Sequence, residues 1–256
     1  MQEKIIYLAF TSPKHLGVRK KILTQTEIWE TTGINVQIVY DKYDAGNFIK
    51  LLNRYRILIL YFVLRKDKQA RIYLRQTACL PFFSLITRFR AFSYEVNADI
   101  SKEVATLTLL KRIFLTIFRD KLIDNASKVF FVSDEISKRY IRSGQKAYVF
   151  PNSLPSFPIT KILPRSNKIV FVGSDQYAWQ GVDILFSLIK KMPDFEFHIV
   201  GDICGLESNN VIFHGTMSGN EYESLMAEMD YSIGTLAFYR SGLTEGSPLN
   251  VRDYVK

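Results

Sequence analysis

The sequence of 256 residues has little cysteine, little histidine and no long apolar segment. Its two cysteines, Cys79 and Cys204, form neither a disulfide framework nor a cluster of metal ligands, which is typical of a protein in a reducing compartment. The longest apolar run, residues 57–64, is far shorter than the roughly 20 residues needed to cross a bilayer. The amino terminus lacks the charged, apolar and small-residue succession of a cleaved signal peptide. These absences predict a cytoplasmic protein.

Positive charge is concentrated in the first part of the chain. Residues 1–160 contain 26 Lys and Arg against 13 Asp and Glu, whereas residues 161–256 contain 8 against 12. A basic surface attracts polyanions, either nucleic acids or anionic membrane leaflets, although it can also simply keep a protein soluble. No helix-turn-helix, zinc-finger or aromatic RNA-reading motif is visible, so we expect no nucleic-acid partner. An anionic membrane surface, with the protein peripheral on its inner face, is the remaining candidate partner.

Short apolar runs alternate with segments of helical periodicity, and prolines interrupt this alternation once. Before the interruption we predict strands at residues 4–10, 36–40, 57–64, 71–74 and 128–132 and a helix at residues 18–32. Pro151, Pro155, Pro158 and Pro164 then predict a linker. The pattern restarts with strands at residues 168–173, 195–201, 210–215 and 231–235 and helices at residues 183–191 and 221–229. The expected fold class is α/β with two Rossmann-like domains of parallel strands, residues 1–152 and 168–256, joined by a linker at residues 153–167.

A long helix is predicted at residues 103–123, and its apolar residues cover far more than one stripe. Lys111, Arg112, Arg119 and Lys121 are interspersed among them. One interpretation is an interfacial helix that lies on an anionic membrane. The favoured alternative is a helix buried between the sheet and neighbouring helices, with its long basic side chains reaching solvent.

Two segments of the second domain are candidates for phosphate binding. Val172-Gly173-Ser174 closes a strand, and Trp179-Gln180-Gly181-Val182-Asp183 opens the next helix. Backbone N–H groups at a helix N-terminus bind anions, and glycine permits close approach of a ligand. A glycine at a strand–helix turn is also ordinary turn chemistry, so this fragment alone leaves both interpretations open.

The tail of the chain places two carboxylates, Glu245 and Asp253, eight positions apart around a turn of small residues. If a helix begins near Pro248, Glu245 lies in the loop before it and Asp253 on its second turn. Such a pair can accept hydrogen bonds from two hydroxyls of one ligand. The amides of Gly246, Ser247 and Leu249 would lie at the N-terminus of that helix, where they could meet a diphosphate. Capping of the helix by Glu245 is the structural alternative.

The sequence resembles the retaining glycosyltransferases of family four, which have the GT-B fold. In the second domain the resemblance rests on a series of motifs in the family's order and spacing: Val172-Gly173, Trp179-Gln180-Gly181-Val182-Asp183, Val200-Gly201, Asn210-Val211-Ile212-Phe213-His214-Gly215, and Glu245 with Asp253. In the first domain it rests on Phe131-Val132-Ser133 and Val149-Phe150-Pro151-Asn152, which are similar to the family's segments before the linker, and on Tyr73-Leu74-Arg75 and Glu95-Val96-Asn97, which resemble a substrate-cleft segment. Gly17, with His15 beside it, matches the family's glycine loop after the first strand.

The resemblance implies transfer of a sugar from a nucleotide-sugar to a glycan or lipid-linked acceptor, in surface polysaccharide biosynthesis. Glu245 would be the catalytic carboxylate at the hydroxyls of the transferred sugar. Asp253 would hold the nucleotide ribose, although it is one methylene shorter than the family's usual Glu. Ser174 and Gln180 stand where many members carry Arg and Lys for the donor diphosphate, and Arg240 could supply a cation instead. The chemistry would need neither a metal nor a cofactor.

On the acceptor side, the resemblance implies that Gly17, His15, Arg75, Glu95 and Asn97 line the cleft between the two domains. The family's second domain continues beyond the equivalent of position 256, so we expect a second domain truncated at its C-terminal end. The missing cations and the short tail support an alternative function. In that alternative the protein is a catalytically weak or inactive sugar-nucleotide-binding or scaffold protein of the same fold.

Overall fold

The chain forms two compact α/β units, Met1–Ser153 and Leu154–Lys256. The computed structural model describes residues 3–11, 16–41, 47–77, 82–99, 109–152, 166–205, 207–217, 219–242, 244, 251 and 254. Most of the predicted linker, residues 153–165, therefore lies outside the described residues. Every strand pair that is described is parallel, which confirms the predicted fold class.

The first unit contains a six-stranded parallel sheet in the order β2-β1-β3-β4-β5-β6. Its elements are β1 (Lys4–Ala9), α1 (Leu16–Thr31), β2 (Asn35–Tyr40), α2 (Asn47–Leu58), a π-helix (Ile59–Val63), β3 (Arg71–Arg75), α3 (Phe83–Ile86), a 3-10 turn (Thr87–Phe89), β4 (Phe92–Val96), α4 (Leu109–Asn125), β5 (Lys128–Phe131), α5 (Asp134–Tyr140) and β6 (Ala147–Val149). The central strand β1 is fully buried from Ile6 to Ala9, as its continuous apolar sequence requires in a sheet covered on both faces. Trp29 and Tyr73 pack edge to face, with ring centroids 5.0 Å apart, between α1 and this sheet.

The sequence prediction was wrong at residues 57–64, which do not form a strand. They end α2 and continue as the π-helix Ile59–Val63. Leu58 and Phe62, four positions apart, are fully buried on one helical face, whereas Leu64 is exposed. An apolar run of this length fits a strand and a buried helical segment equally well, so periodicity alone could not separate them. Two strands, β4 and β6, were not predicted.

The long helix predicted at residues 103–123 is described as α4, Leu109–Asn125, and residues 103–108 lie outside the described part. Leu122 and Ile123 are buried, while Ile113 and Ile117 are about half exposed. Arg119 corrects the expectation that the basic side chains reach solvent. It is 4% exposed, it pairs with Asp99, and its guanidinium lies 3.9 Å from the centre of the Tyr140 ring. In the described chain, no helix combines the length and the apolar character that crossing a bilayer requires.

The second unit contains a four-stranded parallel sheet in the order β10-β7-β8-β9. Its elements are β7 (Lys168–Val172), a 3-10 turn (Ala178–Gln180), α6 (Val182–Lys191), β8 (Glu196–Val200), β9 (Val211–Gly215), α7 (Gly219–Ala227), β10 (Tyr231–Ile233) and a second 3-10 turn (Phe238–Ser241). Leu185 and Ile189 of α6 pack against Phe197 and Ile199 of β8 in a fully buried core. The Asn210 side-chain amide donates to the carbonyl of Ile189 in α6 and to those of Met192 and Phe195, which lie between α6 and β8.

Candidate functional site

In the first unit, three of the predicted acceptor-side residues meet at the carboxyl edge of the sheet. Arg75 ends β3, Glu95 lies one residue before the end of the neighbouring β4, and Asn97 follows β4. The Arg75 Nη1 donates to Glu95 Oε1 at 2.9 Å and to Asn97 Oδ1 at 2.7 Å. Because parallel strands end at one edge of a sheet, two residues twenty positions apart form a single polar group.

Two further residues complete this group, and the sequence prediction missed both. Lys21 of α1 donates through Nζ to Glu95 Oε1 and, at 3.3 Å, to Asn97 Oδ1. Tyr7 of β1 donates through its hydroxyl to Glu95 Oε2 at 3.0 Å. Lys21 lies three positions after Val18 on the apolar stripe of α1, which was the available signal that its ammonium points inward. We call Tyr7, Lys21, Arg75, Glu95 and Asn97 the Lys21 cluster.

The Lys21 cluster holds two cations and one carboxylate, almost without solvent. Lys21 is 3% exposed, Glu95 is 2% exposed and Arg75 is 8% exposed. Burial acts to raise the pKa of Glu95, but Lys21 and Arg75 outweigh it and lower this pKa, so the carboxyl is ionised. Burial lowers the pKa of Lys21 against the attraction of Glu95, and burial next to Glu95 raises the pKa of Tyr7 well above its ordinary value.

This arrangement leaves the cluster with an excess positive charge and one free donor. The buried Asn97 Nδ2 has no hydrogen-bond partner among the described residues. Glu95 already accepts from Lys21, Arg75 and Tyr7, so it has little capacity left to take a proton from a substrate. Glu95 therefore positions Arg75 and Lys21, and the unpaired Asn97 Nδ2 beside them is a donor without an acceptor among the described residues.

The other two predicted acceptor-side residues are less closely tied to this group. Gly17 is exposed in the first turn of α1, one helical turn before Lys21. His15 lies outside the described residues.

In the second unit, the carboxyl edge of the sheet is built from glycines that pack against each other. Gly173 follows β7 and Gly201 follows β8, with a φ of +129° at Gly201. A Cβ at Gly201 would lie 1.8 Å from the Gly173 carbonyl oxygen. A Cβ at Gly173 would lie 2.5 Å from the Phe171 ring and 2.2 Å from Gln180 Oε1. Internal packing thus already requires both glycines, and contact of Gly173 with a phosphate stays a prediction.

The turn after Gly173 is closed by two of the predicted donor-site residues. The Ser174 amide donates to Gln180 Oε1 at 2.7 Å, and the Gln176 amide donates to the Ser174 hydroxyl oxygen at 3.2 Å. Gln180 is 9% exposed. The uncharged Gln180 therefore holds the loop in shape, a role that a Lys at this position could not perform because an ammonium has no acceptor.

Arg240, in the 3-10 turn Phe238–Ser241, forms a bidentate ion pair with Asp183 in the first turn of α6. Its Nη1 and Nη2 reach the two carboxylate oxygens at 2.7 and 2.8 Å. The hydrogen bonds from Arg240 lower the pKa of Asp183 to about 2. Both side chains are partly solvent-exposed, so this pair is open to exchange with another anion.

The predicted carboxylate motif falls almost wholly outside the described residues, which exclude Glu245, Gly246, Ser247, Leu249 and Asp253. Two neighbours of the motif are described. Val251 packs beside Gly234, just after β10, and the Tyr254 hydroxyl accepts from the Val172 amide at 3.0 Å. The described part of the tail thus lies at the carboxyl edge of the second sheet. Among described side chains, no three His, Cys, Asp or Glu residues are placed to hold a metal ion.

No protein-family model matches the sequence. No curated protein matches it significantly either.

Solved structures match the fold of most of the chain. Sucrose-phosphate synthase from Thermosynechococcus elongatus gives a TM-score of 0.65 at 12% identity, over 93% of this chain and 76% of that one. HepE from Anabaena, in complex with UDP and glucose, gives 0.55 at 17% identity, over 91% and 74%. A putative UDP-N-acetylglucosamine 2-epimerase from Listeria monocytogenes gives 0.59 at 9% identity, over 91% and 74%. The chain therefore has the GT-B type of fold.

Proposed function

We propose that the protein is a retaining glycosyltransferase of family four, which moves a sugar from a nucleotide-sugar to a glycan or lipid-linked acceptor. The proposal rests on one observation: three segments of the second unit meet at the carboxyl edge of its sheet. The turn after β7, the start of α6 and the tail residue Tyr254 meet there. Ligands of open parallel sheets bind at this edge. The fold shared with HepE, which binds UDP and glucose, supports the same class of donor.

On the donor side, we assign the transferred sugar to Glu245 and the ribose to Asp253. This assignment is supported by two neighbours of the motif in the sequence: Val251 lies beside β10, and Tyr254 lies beside β7. In the proposal, the amides of Gly246, Ser247 and Leu249 donate to the diphosphate. Carboxylates suit sugar hydroxyls because they only accept hydrogen bonds, and two of them can fix two ends of one ligand.

The proposed cation at the diphosphate is Arg240. It would exchange one of its two bonds to Asp183 for a phosphate oxygen, because a guanidinium binds both groups in the same planar, two-pronged way. Ser174 and Gln180 would shape the loop beside the diphosphate without adding charge.

On the acceptor side, we assign the Lys21 cluster to the hydroxyl group that attacks the sugar, with Gly17 and His15 as further contacts. Asn97 Nδ2 supplies a free donor and Arg75 supplies the adjacent positive charge. In the proposed reaction, the bond from the anomeric carbon to the diphosphate oxygen breaks and the bond to the acceptor oxygen forms on the same face. The acceptor's proton passes to the departing phosphate. Orientation and stabilisation of the leaving group supply the catalysis, without a metal or cofactor.

We further propose that the acceptor belongs to surface polysaccharide biosynthesis and that the protein works at an anionic inner leaflet. The excess of Lys and Arg in residues 1–160, 26 against 13 acidic residues, supports this. The second candidate function is a sugar-nucleotide-binding protein with weak or no activity. It is supported by the uncharged Ser174 and Gln180 and by the prior pairing of Arg240 with Asp183.

The test is titration of UDP-, GDP- and ADP-sugars into the full chain by calorimetry, with nucleotide release as the readout of turnover. Glu245→Gln should weaken donor binding by about 1.5–3 kcal/mol, the range for a hydrogen bond to a charged group. Glu223→Gln, on the exposed face of α7, is the matched control and should change nothing. Binding without nucleotide release would favour the second candidate. Absence of binding to every nucleotide-sugar would refute both.

A further inference from the structure

Large apolar side chains are exposed on neighbouring elements of the first unit. Five of them belong to the end of the π-helix and to the segment around α3: Val63, Leu64, Phe82, Leu85 and Phe89. Their exposed fractions run from 40% at Val63 to 67% at Leu64. These segments adjoin, because the π-helix packs against α3 and against the turn Thr87–Phe89. We call these five side chains the apolar face; clustered exposed apolar side chains of this kind mark interaction sites.

A basic cavity opens beside this apolar face. It has a volume of about 320 Å³ and is lined by Arg65, Lys68, Arg88, Phe89, Arg90 and Ala91. Asp67, the one acidic residue between positions 61 and 91, is paired with Lys4 at 2.6 Å and also attracts Arg90. Arg65, Lys68 and Arg88 therefore leave the cavity with a high density of positive charge, and none of its described lining residues is a carboxylate.

The cavity is held open by an internal arginine. Arg90 donates to the carbonyls of a surrounding loop, reaching Tyr61 at 3.0 Å and Asp67 at 2.7 Å, with further bonds to Lys66, Lys68 and Ala70. Arg65 in turn donates to the Phe89 carbonyl at 3.1 Å. Because these bonds fix the loop against the turn before β4, the backbone around the cavity does not have to be ordered when a ligand arrives.

We propose that this face docks on an anionic bilayer, with the basic cavity taking a lipid phosphate headgroup and the five apolar side chains entering the interface. The proposal deepens the membrane partner of the proposed function by locating its surface. Apolar side chains beside a dense group of cations match the acyl boundary and the anionic headgroups of a leaflet. A nucleic acid would match the cations alone.

The expected strength follows from the number of cations. Each basic residue near an anionic surface contributes about fivefold to partitioning at moderate salt. Removal of two cations of the cavity lining, by Arg65→Gln together with Arg88→Gln, should therefore weaken binding to anionic vesicles by about 25-fold. Lys190→Gln with Lys191→Gln removes the same charge from the exposed end of α6, and we expect less than a twofold effect.

The apolar contribution is tested separately. Leu64→Gln should weaken binding to anionic vesicles, because Leu64 is the most exposed apolar side chain of the face. Ile28→Gln is the matched control, since Ile28 is also exposed but lies on α1. Circular dichroism of all variants checks that each remains folded.

The measurement is flotation of the full chain with vesicles of phosphatidylcholine, alone or mixed with phosphatidylglycerol, over a range of salt concentrations. Binding that requires the anionic lipid, falls with salt and follows the variants as described supports the proposal. Equal binding to neutral vesicles, or equal losses in the two double variants, would overturn it. So would undiminished binding of the Leu64 variant, which would indicate a site for anions without insertion. No donor is present in this assay, so its failure is distinct from a failure of glycosyl transfer.

Discussion

Replacement of Glu95 by Gln tests how the Lys21 cluster is held together. The wild-type carboxylate accepts from Lys21, from Arg75 at 2.9 Å and from Tyr7 at 3.0 Å. The substituted amide would keep the shape of the side chain, but it would leave two nearly buried cations with no counter-charge. Loss of one partner from a buried ion pair costs about 3–5 kcal/mol, a large part of the roughly 5–15 kcal/mol of a typical domain.

A second substitution, Lys21→Met, tests this prediction more strictly, because we expect it to destabilise the wild type but to stabilise Glu95→Gln. Lys21→Met alone leaves Glu95 paired with Arg75, so its charge stays compensated and we expect a loss below about 2 kcal/mol. When Lys21→Met is added to Glu95→Gln, it removes one of the two uncompensated cations. We therefore expect the double variant to be more stable than Glu95→Gln alone.

The assay is urea unfolding of the full chain, followed by tryptophan fluorescence. The sequence has two tryptophans, Trp29 in the first unit and Trp179 in the second. Trp29 packs against Tyr7 of the cluster, with ring centroids 5.9 Å apart. In a Trp179→Phe background, the remaining fluorescence reports on the unit that contains the cluster. If the double variant is no more stable than Glu95→Gln, cation repulsion is not the cause of the loss and the account of the cluster is wrong.

Three further predictions concern the stability of the second unit and are measured by Trp179 fluorescence in a Trp29→Phe background. Gly201→Ala should lower the free energy of unfolding by more than about 3 kcal/mol, because the new Cβ would lie 1.8 Å from a backbone carbonyl oxygen. Gly215→Ala, with open space around it, should lower it only by the roughly 1–2 kcal/mol of a left-handed residue. Similar losses in both variants would contradict the packing argument. Asn210→Asp should cost about 1–3 kcal/mol, because a carboxylate cannot donate to the three carbonyls that the Asn210 amide binds, and an unchanged urea midpoint would count against that role. Burial and His198 lower the pKa of His214, so neutral His214 adds to the free energy of unfolding above the ordinary His pKa of about 6.5. This stabilisation is lost as pH falls from there through the lower pKa of the folded state. His214→Gln should flatten the loss of stability, and an unaltered pH profile would exclude His214 as its source.

The alternation of strands and helices was predictable because each element carries its own signal along the chain. β7 has a uniformly apolar centre, β8 is apolar after Glu196 except at His198, and α6 has a clear apolar stripe, so their positions were predicted within one or two residues. β4 was missed because Glu95 stands in its sequence, and a charged residue argues against a buried strand. Only the tertiary structure supplies the cations that allow Glu95 to be buried.

The resemblance named Arg75, Glu95 and Asn97 as cleft residues, whereas the contacts of Lys21 and Tyr7 with them depend on packing that the sequence does not show. Arg75 ends β3 and Asn97 follows β4, so the parallel sheet brings them together. Lys21 lies 74 positions from Glu95, and a lysine on an amphipathic helix ordinarily reaches solvent. Gln180 was identified as a departure from a cationic position, but its hydrogen bond to the Ser174 amide depends on the fold of the turn.

The strand order of the two sheets has a consequence for synthesis on the ribosome. In the first sheet, β3, β4, β5 and β6 join one side in the order in which they are made: β3 pairs with β1, and β4, β5 and β6 each pair with the strand made just before. In the second sheet, β10 returns to the free edge of β7, so this edge stays unpaired between the synthesis of residue 172 and that of residue 231. An unpaired apolar edge pairs readily with other chains. We therefore expect a nascent chain released within this interval to aggregate, and one halted after the first unit to remain dispersed.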